Sequence, residues 1–323
     1  MLLMLMEEVP RFCLTRNYRP SRDKGSQLLI VLFGFADLSL RGICMTLEPS
    51  LRQLRDFILE YPRLMVLTGA GISQSSGIPT YRDATGAWTS SQPIQHGEFL
   101  RDAAVRKRYW ARSYKGWPNV AIARPNSGHQ ALSQLEAQAY VQYLVTQNID
   151  RLHQKAGHQR VIDLHGRLDQ VVCMDCGEIA ARADVQQWLA AHNSHLDHLS
   201  IAQRPDGDAE IEGAALEGMQ LPSCVHCSGL IKPNVVFYGG SVDKKIISRV
   251  FEQLSQCDAL LVVGSSLMVY SSYRYCKFAH DHDIPIVCIN QGLTRADELL
   301  SLKVRLDCAE TLKQLADSLP ARG

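Results

Sequence analysis

Short, unbroken apolar runs alternate along this chain with longer segments whose apolar residues recur at helical spacing. Leu64-Met65-Val66-Leu67 has the continuous character of a strand buried on both faces, and Val141 to Thr146, Val161 to Leu164, Ala259 to Val263 and Ile284 to Ile289 read as further strands. Leu51, Leu54, Phe57 and Ile58 mark one helix between Pro49 and Tyr61, and similar periodicity runs through Asn126 to Ala139 and Lys244 to Gln256. Strands alternating with helices predict an α/β fold with a doubly wound, mostly parallel, Rossmann-like sheet. Two stretches break the alternation. Gly97 to Trp117 sets Phe99, Leu100, Tyr109, Trp110 and Trp117 among charges, which suits a small helical module over a cleft, with aromatics that more often build core than touch ligand. Val171 to Ile231, with the polar and acidic stretch Pro205 to Gly218 inside it, is expected to be an inserted second module.

The first strand runs straight into Gly69-Ala70-Gly71. Such a turn lets backbone approach a pyrophosphate at the start of the next helix, although a tight strand-to-helix turn with no ligand gives the same pattern. The dehydrogenase fingerprint G-x-G-x-x-G is not met, because Gln74 stands at its sixth position and Gly77-Ile78-Pro79 and Arg82 follow.

Composition narrows the choices. With 323 residues and 46% hydrophobic content the chain can bury a large core, and 34 basic against 33 acidic residues give no bulk charge for nucleic acid or an anionic membrane. The apolar run Leu28 to Phe35 is far shorter than the roughly 18 residues of a membrane span. Residues 1–45 are expected to lie outside the fold. Arg11, Arg16, Arg19, Arg22 and Lys24 hint at a transit peptide, Glu7, Glu8 and Asp23 argue against one, and Met45 stands just before the helix start at Pro49. A genuine N-terminal extension is the alternative.

Ten cysteines are too scattered for a disulfide framework. Four of them form Cys173-x2-Cys176 and Cys224-x2-Cys227, two knuckles that together supply the thiolates of one tetrahedral, structural zinc; buried or redox cysteines are the alternative. A reducing, cytoplasmic compartment fits this usage, with the mitochondrial matrix as the alternative. His192, His195 and His198 read as a solvated surface rather than a second metal site.

Polar clusters gather where the strands are expected to end, the edge at which an open parallel sheet binds its ligand. They are Thr146-Gln147-Asn148-Ile149-Asp150, His165-Gly166, Gly264-Ser265-Ser266 and Ile289-Asn290-Gln291-Gly292. Singly each is an ordinary cap; together they bring an amide, a carboxylate, an imidazole and a glycine-serine turn to one edge, groups that suit a nucleotide-consuming reaction.

Gly69-Ala70-Gly71-Ile72-Ser73, Gly77-Ile78-Pro79, Gln147-Asn148-Ile149-Asp150, Leu164-His165-Gly166, both cysteine pairs, Lys232-Pro233-Asn234-Val235-Val236-Phe237-Tyr238-Gly239 and Gly264-Ser265-Ser266-Leu267 occur in this order. In this the chain resembles the sirtuin family over residues 46–323. Pro93 to Gly97, Arg108 to Arg112, Gly116-Trp117-Pro118 and Val269-Tyr270-Ser271 resemble its class II, sirtuin-4-like branch. The resemblance implies a catalytic domain over 46–323, Rossmann-like in 46–170 and 232–323, with a zinc module inserted at 171–231. It implies an NAD-dependent protein-lysine deacetylase or deacylase, acting on acylated-lysine proteins and passing the acyl group to ADP-ribose as nicotinamide leaves.

By the same resemblance Gly69, Ala70, Gly71, Ile72, Ser73, Thr80, Tyr81, Arg82 and Trp88 would contact NAD, as would Gln147, Asn148, Ile149 and Asp150. Gly264, Ser265, Ser266, Asn290, Gln291, Gly292 and Cys308 would take its adenosine half. His165 would be the general base on a ribose hydroxyl, with Asn148 and Asp150 beside the nicotinamide, and Val235, Val236, Phe237 and Tyr238 would offer a strand edge to the substrate peptide. Thr80, Asn234 and Gly240 each stand where many sirtuins carry an acid, which bears on rate and acyl preference. Protein ADP-ribosyl transfer and removal of bulkier acyl groups stay open as alternatives. A dehydrogenase is disfavoured by Gln74 and by the lack of an acidic ribose ligand about 20 residues on, and a zinc-knuckle nucleic-acid module by the balanced charge.

Overall fold

In the computed structural model, which describes residues 48–80, 93–198 and 216–322, helix α1 (Pro49–Glu60) starts on a proline. The Glu48 carboxylate caps it by accepting from Ser50 N and Leu51 N, and Leu51, Leu54 and Ile58 are its buried stripe. Strand β1 (Leu64–Thr68) follows and is buried at every position. It feeds a 3-10 turn over Ala70–Ser76, where the glycine pattern predicted the start of a helix. Helices α2 (His96–Arg101) and α3 (Ala103–Ile122) form the aromatic helical module, with Asp102 capping α3 through Ala104 N. Helix α4 (Ser127–Ala137) is fixed by a reciprocal cap between Asn126 and His129.

Strands β2 (Val141–Thr146) and β3 (Val161–Asp163) flank the short helix α5 (Leu152–Lys155). The chain then enters the smaller module through β4 (Gly166–Cys173), β5 (Ile179–Ala181) and α6 (Arg182–His192), and leaves it through β6 (Ile231–Val235). Helix α7 (Lys244–Leu254), β7 (Ala259–Val263), α8 (Tyr270–Asp281), β8 (Ile286–Ile289), β9 (Leu302–Val304) and α9 (Cys308–Ser318) complete the order.

The main sheet has the order β3-β2-β1-β7-β8-β9, and every pairing in it is parallel. Its two faces are covered separately. Leu51, Leu54, Leu132, Leu135, Leu312 and Leu315 pack α1, α4 and α9 on one side. Val250, Leu254, Tyr275, Cys276 and Ala279 pack α7 and α8 on the other. Fully buried strands such as Ala259–Val263 are the sequence signature of that double covering.

The smaller module is a three-stranded antiparallel sheet, β5-β4-β6, with its own core of Phe99, Trp110, Val171, Leu189, Met219 and Ile231 drawn partly from α2 and α3. Its sheet begins at Gly166 and closes at Val235, wider than the 171–231 expected from the cysteine pairs. In the first half of β4 only Leu168 is buried, Asp169 is exposed and Gly166, Arg167 and Gln170 are half-buried, so it lacks the unbroken apolar run that marked the other strands. Arg182 ties the two parts of this module together. Its buried guanidinium lies 5.4 Å from the Trp110 ring and 4.8 Å from the Trp117 ring and donates to Ser113 O at 3.3 Å. No helix among the described residues is long and apolar enough to cross a membrane.

Candidate active site

The chain turns one way from β1 to β2 and β3 and the other way to β7, β8 and β9, so a crevice opens beyond the carboxyl ends of β1 and β7. Two glycine turns meet there. Gly71 N donates to Gly264 O at 2.8 Å and Gly69 N to Val263 O at 3.0 Å, which presses the two strand-end backbones together. A Cβ on Gly264, whose φ is +60°, would lie 2.5 Å from Ile72 N; one on Gly69 would lie 2.8 Å from Gly264 O. The glycines are therefore set by backbone packed on backbone, and the cavity opens beside that contact.

The cavity is about 940 Å³. At one end Gly69, Ala70, Gly71, Gly264, Ser265, Ser266, Asn290, Gln291, Gly292 and Cys308 line it, with Asp307 beside them. At the other end it is walled by Ile94, Tyr109, Leu168, Val235 and Phe237. Gln147, Asn148, Ile149, Thr80 and His165 lie on its wall as well. Its size and its mix of apolar wall with a few hydrogen-bonding groups fit a dinucleotide together with a side chain of a second substrate.

The strand-end amides are held in a network. Gln147 Nε2 donates to Ser265 Oγ at 2.8 Å and Thr68 O at 3.2 Å, so the ends of β2, β1 and β7 are laced by one side chain. Asn148 Nδ2 donates to Gly69 O at 3.0 Å and Ser73 Oγ at 3.1 Å. Asp150 accepts from Ser73 Oγ at 2.7 Å and from Leu152 N at 2.9 Å. Burial raises the Asp150 pKa, while those two bonds pull it back. Ser73 and Asp150 thus stand one layer behind the cavity wall, where they orient Asn148, and Ile72 points into the main core. These three residues were expected among the NAD contacts, and their side chains stand behind those that line the cavity. Tyr81, Arg82 and Trp88 lie outside the described residues.

His165 follows β3 and precedes β4. Its Nδ1 donates to Gln147 O at 3.1 Å and its Nε2 accepts from Ser271 Oγ at 2.7 Å, which fixes the Nδ1–H tautomer. Burial lowers its pKa to about 4, against a smaller raising effect of the Gln147 carbonyl. The ring is a neutral base facing the cavity.

The segment Val235 to Tyr238, expected to receive the peptide, is less free than a bare strand edge. Strand β6 ends at Val235, Val236 N donates to His165 O at 2.8 Å, and Tyr238 O accepts from His96 N at 2.7 Å beside a parallel bridge from Gln95 to Tyr238. All four residues from Val235 to Tyr238 still line the cavity. Ile94, Tyr109, Leu168 and Ser271 were not singled out for the site by sequence. Tyr109 gave an aromatic signal, assigned there to core, and it does both jobs: it packs edge-on against Phe99 at 5.4 Å and lines the cavity.

In the small module the Sγ atoms of Cys173 and Cys227 are 3.5 Å apart, those of Cys176 and Cys224 are 3.7 Å apart, and all four lie within 4.8 Å of one another. Zinc–sulfur bonds of about 2.3 Å in a tetrahedron set sulfurs about 3.8 Å apart, so the donor set and its spacing fit zinc. Among the described residues no other group of three or more His, Cys, Asp or Glu gathers its donor atoms this closely. His192 instead stacks on Trp188 at 4.1 Å.

The Sir2 family profile matches residues 69–271. An NAD-dependent protein deacetylase of Xanthomonas axonopodis pv. citri is 50% identical over 259 residues, 80% of this chain and 88% of its own. NAD-dependent protein deacetylase 2 of Bradyrhizobium diazoefficiens is 48% identical over 261 residues, 81% of this chain and 96% of its own. Among solved structures, one from work on the mechanism and regulation of Sir2 enzymes superposes with a TM-score of 0.67 at 28% identity, covering 84% of this chain and 98% of that one. A Sir2 protein with a p53 peptide and NAD+ gives 0.65 at 28% identity, covering 83% and 97%.

Proposed function

The chain belongs to the Sir2 family of sirtuins and is an NAD-dependent protein deacetylase; from that premise we propose how its own residues carry the reaction. When bound, NAD supplies a ribose activated by its nicotinamide leaving group, onto which the acyl group of a lysine is passed. The Gly69 to Gly71 turn would lie against the phosphates, with Gly69 N and Gly71 N themselves committed to Val263 O and Gly264 O, and Gly264, Ser265, Ser266, Asn290 to Gly292 and Cys308 would take the adenosine half. Asn148, held by Gly69 O and by the Ser73–Asp150 pair, presents its amide to the nicotinamide half. Ile94, Tyr109, Leu168, Val235 and Phe237 form the apolar passage for the lysine stem. Val236 to Tyr238 offer their remaining main-chain groups to the peptide.

The observation that carries this reading is the state of His165. A buried neutral imidazole with Nδ1 committed to Gln147 O leaves Nε2 to take the proton of a ribose hydroxyl. The apolar passage, together with Thr80, Asn234 and Gly240 in place of acids, supports acceptance of acyl groups bulkier than acetyl. The class II, sirtuin-4-like placement rests on Arg108 to Arg112 and Val269-Tyr270-Ser271. Acylated-lysine proteins are the partners, with neither nucleic acid nor membrane, and bacterial relatives and the eight described cysteines, all free thiols, support a cytoplasmic setting.

Incubation with NAD and a panel of acyl-lysine peptides should release nicotinamide and shift the peptide mass, without NADH. NADH formed without nicotinamide would sink the reading. His165→Ala should cost at least about 100-fold in deacylation, and a parental rate would remove His165 from the role of base. The zinc is structural, so Cys173→Ser should lower bound zinc from one per chain to near none and depress Tm; undiminished metal by elemental analysis would contradict the four-thiolate site.

A further inference from the structure

His165 is gripped at both ring nitrogens, and only one grip comes from the strand that precedes Asn148. The other comes from Ser271, in the first turn of α8, a helix of the opposite half of the sheet. That turn is itself anchored: Ser272 N and Tyr273 N both donate to Val269 O, and Ser272 Oγ donates to the same carbonyl at 3.0 Å. Ser271 lines the same cavity as His165. Its hydroxyl donates to Nε2 at 2.7 Å, the one nitrogen able to accept a substrate proton.

We propose that Ser271 is a positioning residue for His165, whose hydroxyl stands in for the ribose hydroxyl in the free enzyme and presets the imidazole for it. The inference rests on His165 being the base. Without Ser271, only the Gln147 carbonyl fixes the ring, and a turn of the imidazole about its own axis would exchange Nδ1 for a carbon at that carbonyl. The buried Nε2 would then have no partner in the free protein, a state that favours other tautomers and ring orientations. With Ser271 present, the incoming hydroxyl replaces one O–H···N bond by another. The serine hydroxyl needs only to rotate about a single bond to release the lone pair, so presetting the ring does not compete with substrate.

The test has two readouts on the full, zinc-loaded chain. In NAD-free protein labelled with 15N-histidine, the His165 ring, assigned by its loss in His165→Ala, should show a protonated Nδ1 and an unprotonated Nε2. Ser271→Ala should mix the tautomers or broaden the signal, while Ser271→Thr keeps the parental pattern. In kinetics, Ser271→Ala should lower deacetylation kcat about 10-fold, as a misplaced group does. KM for NAD and exchange of labelled nicotinamide into NAD, which needs a carbonyl nucleophile but no base, should stay parental. Ser271→Thr should recover most of kcat.

A parental tautomer pattern and kcat in Ser271→Ala would overturn the proposal. So would a Thr variant as impaired as the Ala one, which would make volume rather than the hydroxyl the cause, or nicotinamide exchange falling in step with kcat, which would make Ser271 a binding residue. If His165→Ala itself deacetylates at the parental rate, the assignment of the base fails instead, whatever the Ser271 variants do.

Discussion

Burial holds the His165 imidazole at about 4, far below its ordinary value near 6.5, and this has a kinetic signature. The base stays unprotonated through mildly acidic conditions, so the acid limb of kcat/KM for the acetyl peptide should fall near pH 4 to 5 rather than near 6.5. Brief assays, each followed by return to pH 7.5 to confirm full recovery, would measure it; a limb centred at 6.5 would show a solvated base. At this scale the sequence pointed to His165, Asn148 and Gln147 only as a set, because a polar residue closing an apolar run is singly an ordinary cap. It did not display the division between Asn148, on the cavity wall, and Asp150, one layer behind it. Two residues apart in sequence, they are separated only by how the turn into α5 directs their side chains. Nor did it display Ser271, whose meaning depends on a residue 106 positions away.

Among the elements, the meeting of the two glycine turns fixes the cavity most tightly. Gly264→Ala would combine a left-handed backbone with a Cβ 2.5 Å from Ile72 N. It should cost at least about 3 kcal/mol in urea unfolding and most of the activity. Gly77 offers the internal control, since it shares a positive φ of +82° but has nothing among the described residues within 4 Å of its Cβ. Gly77→Ala should cost only about 1 kcal/mol, and equal losses in the two variants would mean that the close approach is not what constrains Gly264. Gly69 to Gly71 was visible in sequence as a candidate phosphate turn and Gly264 to Ser266 as a glycine-serine turn at a strand end, yet their contact with each other was not. Strands β1, β7 and β8 were legible because a sheet covered on both faces demands unbroken apolar runs. The start of β4 was not, because one of its faces meets water and its pattern weakens to Gly166-Arg167-Leu168-Asp169-Gln170.

For the whole molecule, the doubly wound topology was readable from alternation alone, whereas the outline of the smaller module followed hydrogen bonding between strands distant in sequence. The molecule also carries a cluster of interior histidines behind the site. The rings of His129 and His153 lie 4.8 Å apart and those of His153 and His158 lie 5.3 Å apart, with Glu136 bonded to His158 Nδ1 at 3.1 Å. Burial lowers all three pKa values, His129 to about 4. The unfolded chain takes up these protons near pH 6.5 and the folded one only at lower pH, so stability is full above about 6.5 and declines as the pH falls toward 4. His129 withdraws about 3 kcal/mol at the acid end, and His153 and His158 act in the same direction. Urea unfolding at constant ionic strength, with zinc retention checked, should therefore show a loss of at least about 2 kcal/mol between pH 7.5 and 5, and a flat profile would refute it. The His165 carbonyl, as distinct from its ring, carries a last consequence. By accepting from Val236 N it stitches the base to the peptide-facing segment across the neck of the zinc module, where β4 leaves and β6 returns. In mechanical terms the neck is two plies sewn together, so a displacement of either ply would carry the other with it.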